Sequence, residues 1–361
     1  MGEGHLIIGV WSQHVVTEFG SIAFGICPDS CRDSYWEFNT HNDISMKHFT
    51  SVHDLDNLDE ALKLALELKK DPYKYQSLGK NKTLLLVFFN SSLRTRLSTQ
   101  KAGLNLGMNV IVFDINEGGW KLETELGVVM DSDKPEHIRE AVPVIGKYCD
   151  IIGVRSFAKF ENKDDDYEEK IIQQFIDYAD VPVVSMEAST RHPLQSFADH
   201  LTIEEFKTKE RPKVVMTWAP HPRPLPQAVP NSFVEWMRET DYELVVTHPE
   251  GYELAPEFMG DLKPEYDQMK AFEGADFIYA KSWAAYNDYG KVLSQDRSWT
   301  VSDRQMAVTN NAKFMHCLPV RRNMIVSDSV IDSENSIVVP EAENRLFSAQ
   351  AVLKMLLDQM K

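Results

Sequence analysis

Short apolar runs alternate with amphipathic stretches along most of this chain, and that alternation restricts its fold more than any other feature. Runs at 83–89, 109–115, 150–155 and 181–186 read as buried strands, and apolar spacing predicts helices over 92–106, 135–148 and 169–178 between them. A second series has strands at 213–218, 242–247, 277–281, 313–317 and 336–339. A helix between two strands returns the chain to its starting edge, so successive strands lie parallel and both faces of the sheet are covered. The 361 residues are enough for two cores. The pattern predicts an α/β protein of two doubly wound parallel-sheet domains, residues 46–190 and 191–342, with an amphipathic helix over 343–361 packing back on the first.

Proline sets finer expectations. Asp71-Pro72 stops a helix over 54–70, Pro135 suits the first turn of the helix over 135–148, and Pro143 is expected to kink or interrupt it. Five prolines between 220 and 230 read as a stiff surface linker or, because they follow the end of a strand, as a binding loop. Residues 1–45 lack the alternation. They read as an appendage or a misassigned start, disordered or loosely attached, ahead of a functional protein beginning at Met46.

Charge narrows the partners. A formal net charge of −17 argues against nucleic acid or an anionic membrane, so an anionic substrate needs a local cluster of cations. The four cysteines form no disulfide framework, which suits a reducing cytoplasm. Cys27 and Cys31 are spaced like half a metal site without a second pair, and no metal or organic cofactor is expected. No apolar run reaches the roughly 18 to 20 residues of a membrane span, and the start lacks the basic and small-residue marks of a signal peptide.

Chemistry gathers at strand ends. Ser92-Leu93-Arg94-Thr95-Arg96 follows the first apolar run and opens a helix, where unpaired backbone N–H groups, hydroxyls and guanidiniums suit an anion. Arginines in a first helical turn are also often solvated or paired, so this stretch needs company. Arg155, Glu187, Lys281 and His316-Cys317-Leu318-Pro319 end later strands, and His192-Pro193-Leu194-Gln195 opens another helix. Parallel strands bring such positions to one cleft, giving a cationic set that suits a phosphorylated substrate and an amine or carboxylate co-substrate.

These three motifs, in this order, resemble the signatures of the carbamoyltransferases, over residues 46–361, and are most similar to the branch acting on N-acylated ornithine. The resemblance implies direct transfer from carbamoyl phosphate to the δ-amine of an acylornithine, in arginine biosynthesis. It also implies a cytoplasmic homotrimer with active sites between subunits and a knotted second domain. Carried over, Ser92, Leu93, Arg94, Thr95, Arg155, His192, Pro193, Leu194, Gln195, Cys317, Leu318 and Arg345 would hold carbamoyl phosphate, with Trp120 reaching in from a neighbouring subunit. Catalysis would rest on Arg94, Arg155, His192, Gln195 and Cys317. Glu187, His221, Lys281, Arg321 and Pro135 would bind the acylated amino acid. Leu93 stands where the ordinary ornithine enzymes have Thr, and their Ser-Met-Gly motif is missing, so a blocked α-nitrogen is implied. Pro135 and Ile325 replace a glutamate and a lysine of the acetylornithine branch, which makes N-succinylornithine the expected substrate and N-acetylornithine the alternative. A non-catalytic anion-binding protein of the same fold is the remaining reading.

Overall fold

Asn57 opens the first helix. Its side chain accepts the Glu60 amide at 3.1 Å, and α1 (Leu58–Lys70) buries Ala61, Leu62, Ala65 and Leu68 along one face. The structure, a computed structural model, describes residues 46–115 and 120–360. The expectations for residues 1–45, with Cys27 and Cys31, and for the Gly118-Gly119 turn lie outside the described residues.

The first half continues with β1 (Thr83–Phe88), α2 (Leu93–Asn105), β2 (Asn109–Asp114), β3 (Leu122–Glu123), β4 (Glu136–His137), α3 (Ile138–Gly146), β5 (Ile151–Arg155), α4 (Lys163–Tyr167), α5 (Lys170–Tyr178) and β6 (Val183–Glu187). Four of these strands make a parallel sheet in the order β2-β1-β5-β6. α6 (Pro193–Phe206) leads to the second half: β7 (Lys213–Trp218), α7 (Ala228–Arg238), β8 (Glu243–Thr247), α8 (Pro256–Met259), α9 (Gln268–Phe272), β9 (Phe277–Lys281), α10 (Asp303–Met306), β10 (Lys313–Met315), α11 (Asp328–Ile331) and α12 (Val338–Asp358). Its sheet is also parallel, ordered β10-β9-β7-β8. The two parallel α/β sheets expected from the alternation are both present.

Both sheets share one topological device. The chain leaves β1 towards β2 on one side and returns for β5 on the other, and β7, β8 and β9 repeat that reversal. Where neighbouring connections diverge, a crevice opens beyond the carboxyl ends of the strands, and ligands bind there in open α/β sheets.

Three local expectations are corrected. Pro135 does not begin a helix: Glu136 and His137 pair with Leu122 and Glu123, and α3 starts at Ile138 with His137 as its cap. Extended pairing won because proline's fixed φ suits an extended strand as well as a first helical turn. α3 runs on through Pro143, whose missing N–H forgoes one helical hydrogen bond, the one that would go to the carbonyl of the exposed residue Arg139. The strand expected at 336–339 shrinks to a bridge between Ser336 and Phe314. Val338 already belongs to α12, because Pro340 in its first turn needs no partner there.

α12 is also less amphipathic than its sequence suggests. From Asn344 to Leu357 it is buried around most of its circumference, packed against α6, α2 and α1. Exposed apolar residues collect elsewhere. Leu93, Leu97 and Leu104 line one face of α2, Ile111 lies on the edge strand β2, and Trp120, Leu126, Val128, Val129 and Met130 lie between β2 and β4.

Candidate active site

A cavity of about 520 Å³ lies at the carboxyl ends of the strands, lined from both sheets. β1 delivers Ser91 through Thr95, β5 Arg155, β6 Glu187, β9 Lys281, and the loop after β10 supplies His316 to Pro319. His192 and Gln195 enter from α6, Arg345 from α12, and His221, Leu225 and Pro226 from the proline-rich connector, which is therefore part of the wall. Four cations (Arg94, Arg155, Lys281, Arg345) face one carboxylate, Glu187, in a chain of net charge −17. The positive cluster that an anionic ligand needs is local to this cavity.

The β1–α2 turn is built for an anion. Ser92 caps α2 with extended backbone, and its hydroxyl accepts the Thr95 amide at 3.3 Å. Ser92 to Thr95 line the cavity, and a helix start there brings free N–H groups and the positive end of its dipole. Arg94 sits half-buried beside this turn, and burial pushes its ionisation down while the neighbouring Cys317 and Glu187 oppose the shift. Thr95, almost fully buried, accepts from Arg155 Nη1 at 3.3 Å and from Arg345 Nη2 at 2.7 Å, so one hydroxyl ties two guanidiniums to the helix start.

Glu187 offsets this charge. It pairs with Arg155 and lies 3.3 Å from His192 Nε2, while Arg155 stacks over Phe157 at 4.3 Å. Burial, then the charges of Arg345, Arg155 and Lys281, hold the His192 imidazole well below its usual range and therefore neutral at pH 7. The same burial, with Arg155 beside it, brings Arg345 down to about 10. Arg94, Arg155 and Arg345 each keep a buried Nε without a partner, and so do His192 Nδ1 and Gln195 Oε1. Polar atoms left unmet inside a folded chain call for an explanation, and a ligand in the adjoining cavity supplies one.

The other rim is looser. Arg321 Nε donates to His221 Nε2 at 2.9 Å, and His221 Nδ1 lies 2.8 Å from the Arg223 carbonyl, which fixes the imidazole as neutral with its proton on Nδ1. Burial and then the cations Arg321, Lys281 and Arg223 lower its ionisation, against the pull of the Arg223 carbonyl. Lys281 reaches the cavity without an ion pair or side-chain hydrogen bond among the described residues. Leu318 holds φ at 53°, a left-handed conformation that costs an ordinary residue about 1 to 2 kcal/mol, and its amide is fixed to His316 Nδ1 at 2.8 Å. Such strain, kept in place by a hydrogen bond, is typical of functional turns.

The family model described as aspartate/ornithine carbamoyltransferase, carbamoyl-P binding domain, matches residues 47–205, and the one described as the Asp/Orn binding domain matches 227–356. The chain belongs to the aspartate/ornithine carbamoyltransferase family. It is 71% identical to N-succinylornithine carbamoyltransferase of Bacteroides thetaiotaomicron, over 88% of this chain and all of that one. It is 38% identical to N-acetylornithine carbamoyltransferase of Xanthomonas campestris, over 88% of this chain and all of that one. Among solved structures, N-acetyl-L-ornithine transcarbamylase with one glutamate replaced by proline, complexed with carbamyl phosphate and N-succinyl-L-norvaline, matches with TM-score 0.80 at 38% identity, covering 86% of this chain and 99% of that one.

Within this carbamoyltransferase chain, Ser92, Leu93, Arg94, Thr95, Arg155, Glu187, His192, Gln195, His221, Lys281, Cys317, Leu318 and Arg345 all line the one cavity. Pro193 and Leu194 are buried beneath it, Leu194 in the core with its carbonyl accepting from Ser348 Oγ at 2.8 Å. Arg321 joins through His221 at the rim. Trp120 and Pro135 do not line this cavity; they flank the β3–β4 pair, with Trp120 Nε1 donating to Glu136 Oε2 at 2.7 Å. Phe157 is a wall residue that sequence reasoning missed, since an apolar side chain in a loop carries no chemical signal. Leu225 and Pro226 were reachable only as part of the five-proline stretch.

Proposed function

We propose that the chain transfers the carbamoyl group of carbamoyl phosphate to the δ-amine of N-succinyl-L-ornithine, giving N-succinyl-L-citrulline and phosphate. The observation that carries this reading is the cavity itself, where a capped helix start, three guanidiniums, a neutral imidazole, an amide and a thiol converge. High identity to enzymes named for that substrate supports it.

In this mechanism the α2 N-terminus and Arg94, with Ser92 and Thr95, take the phosphate, and Arg155 and Arg345 fix the other end of the anion. Leu318 packs against it, and His192, Gln195 and Cys317 surround the carbamoyl carbon. The neutral δ-amine attacks that carbon, the oxygen charge builds against the held donors, and the tetrahedral intermediate releases phosphate. One well-placed donor is worth about 3 to 4 kcal/mol at this step. With a lysine-like pKa of about 10.4, freeing the amine at pH 7 costs about 4 to 5 kcal/mol, and a cationic cavity offsets part of it by disfavouring the ammonium form.

Glu187, His221, Lys281 and Arg321 hold the acylated amino acid, Arg321 taking the succinyl carboxylate while His221 holds its guanidinium through Nε. The first half then serves carbamoyl phosphate and the second the amine, in the sense of the two family models. A cytoplasmic homotrimer completes the site, a neighbouring copy bringing in Trp120 and Pro135. In support, the exposed apolar residues of α2 and of the β2–β4 connection give that copy a surface to cover, and no helix among the described residues is long and apolar enough to cross a membrane.

Pro135 and Ile325 set the acyl group. A glutamate at position 135, about 4 Å from a succinyl carboxylate, would oppose it by about 4 kcal/mol at an effective dielectric of about 20, close to a thousandfold in binding. Proline removes that charge, and the buried Ile325 on the wall leaves no lysine there. The solved relative with glutamate replaced by proline and an N-succinyl ligand supports this assignment. Initial rates on N-succinylornithine and N-acetylornithine test it: the native enzyme prefers the first and Pro135→Glu reverses the order. Equal native rates, or an unreversed preference in the variant, contradict the reading.

A further inference from the structure

Beneath the cavity floor lies a pair of carboxyls that the transfer chemistry does not use. Asp199 on α6 and Glu341 on α12 are both fully buried, and their side chains meet. Gln195 Nε2 donates to Asp199 Oδ1 at 2.8 Å and stands 3.4 Å from Glu341 Oε1, while the His316 amide donates to Glu341 Oε2 at 2.9 Å. Asp199 Oδ2 has no donor of its own among the described residues, though the Tyr279 hydroxyl on β9 lies beside it. From α12, Arg345 favours ionisation of Asp199; Cys317 and Tyr279 add no positive charge.

Two carboxylates in contact and away from water cannot both stay ionised. Burial pushes Asp199 up to about 7 and Glu341 well above its usual range. We infer that Asp199 and Glu341 share one proton and act as positioning residues, fixing Gln195 by its amide nitrogen and so setting which way its amide faces. Gln195 lines the cavity and its Oε1 has no partner among the described residues, so holding the nitrogen leaves that oxygen to meet the amino group of the carbamoyl moiety when it binds. The same pair anchors the backbone of His316, next to Cys317. The orientation gives a chemical reason to choose carbamoyl phosphate over an acyl phosphate lacking the N–H donors.

This rests on the carbamoyl-transfer reading, and the test separates the two. Infrared spectra of the ligand-free protein, at a pH where exposed carboxylates are ionised, report protonated carboxyls directly. An acid carbonyl band lost in both Asp199→Asn and Glu341→Gln, but kept when another carboxyl that burial holds towards its protonated form is removed by Glu169→Gln, is the expected result. No band lost with those two substitutions overturns the shared proton. In Asp199→Asn the amide nitrogen loses the carboxylate that holds it and is free to turn, so the preference for carbamoyl phosphate over acetyl phosphate as competitor falls about tenfold, the worth of one hydrogen bond. A folded variant with unchanged preference overturns the positioning role. If no amine is ever carbamoylated, the reaction fails while the infrared result still decides the pair.

Discussion

Arg94 and His200 show how differently a buried cationic or titratable side chain can serve. Arg94 lies on a cavity wall with an unpartnered Nε, so Arg94→Ala removes a charge-assisted contact to phosphate without opening the core. We expect turnover to fall by about a hundredfold or more while the melting temperature holds, measured at low carbamoyl phosphate; unchanged turnover there removes Arg94 from the site. His200 is structural: Trp236 Nε1 donates to its Nδ1 at 3.2 Å, and burial pushes it from 6.5 down to about 4. The unfolded chain therefore takes up a proton first, and stability present above pH 6.5 is lost as pH falls towards about 4. About 3 kcal/mol goes in that window, at about 1.4 kcal/mol per unit. His200→Gln keeps an acceptor for Trp236, and its denaturant-derived unfolding free energy should fall less by about that amount over the same range. Parallel slopes would refute the assignment. Sequence alone singled out Arg94, which stands in a motif, but not His200, Asp199 or Glu341, because burial is a property of the fold.

At the scale of elements, strand positions were legible because each apolar run is short and bounded. β7 and β9 match their expected limits, and β1, β5 and β8 differ by a residue at one end. Ends that depend on partners were not legible. Ser336 to Val339 is apolar enough for a strand, yet only one bridge forms and Val338 turns into α12. Glu136 and His137 are captured by β3, a pairing set by the neighbouring loop and not by local preference. α12 was underestimated for a related reason: Ser348, Gln350 and Asn344 look like a solvent face but are buried in polar contacts with Leu194, Pro72 and Thr202. Because α12 joins α1, α2 and α6, Leu353→Ala, at a residue 1% exposed, should cost about 2 to 5 kcal/mol in chemical denaturation. A loss under about 1 kcal/mol would mean that the helix is not a core element.

At the scale of the molecule, the same-end rule for parallel strands brought residues as far apart as Arg94 and Arg345 to one cavity, which the alternation of strand and helix had implied. What it did not imply is where Trp120 and Pro135 go, since they lie away from the cavity of their own chain. A shared site makes a direct prediction: inactive Trp120→Ala and inactive Arg94→Ala chains, allowed to exchange subunits, recover activity in the hybrids. No recovery despite demonstrated exchange counts against sharing. The central claim is tested most directly by competition. With carbamoyl phosphate and equal amounts of N-succinylornithine, N-acetylornithine and free ornithine in one vessel, mass spectrometry of the products should show N-succinylcitrulline in large excess. Predominance of either other product, or release of phosphate with no citrulline formed, would contradict it.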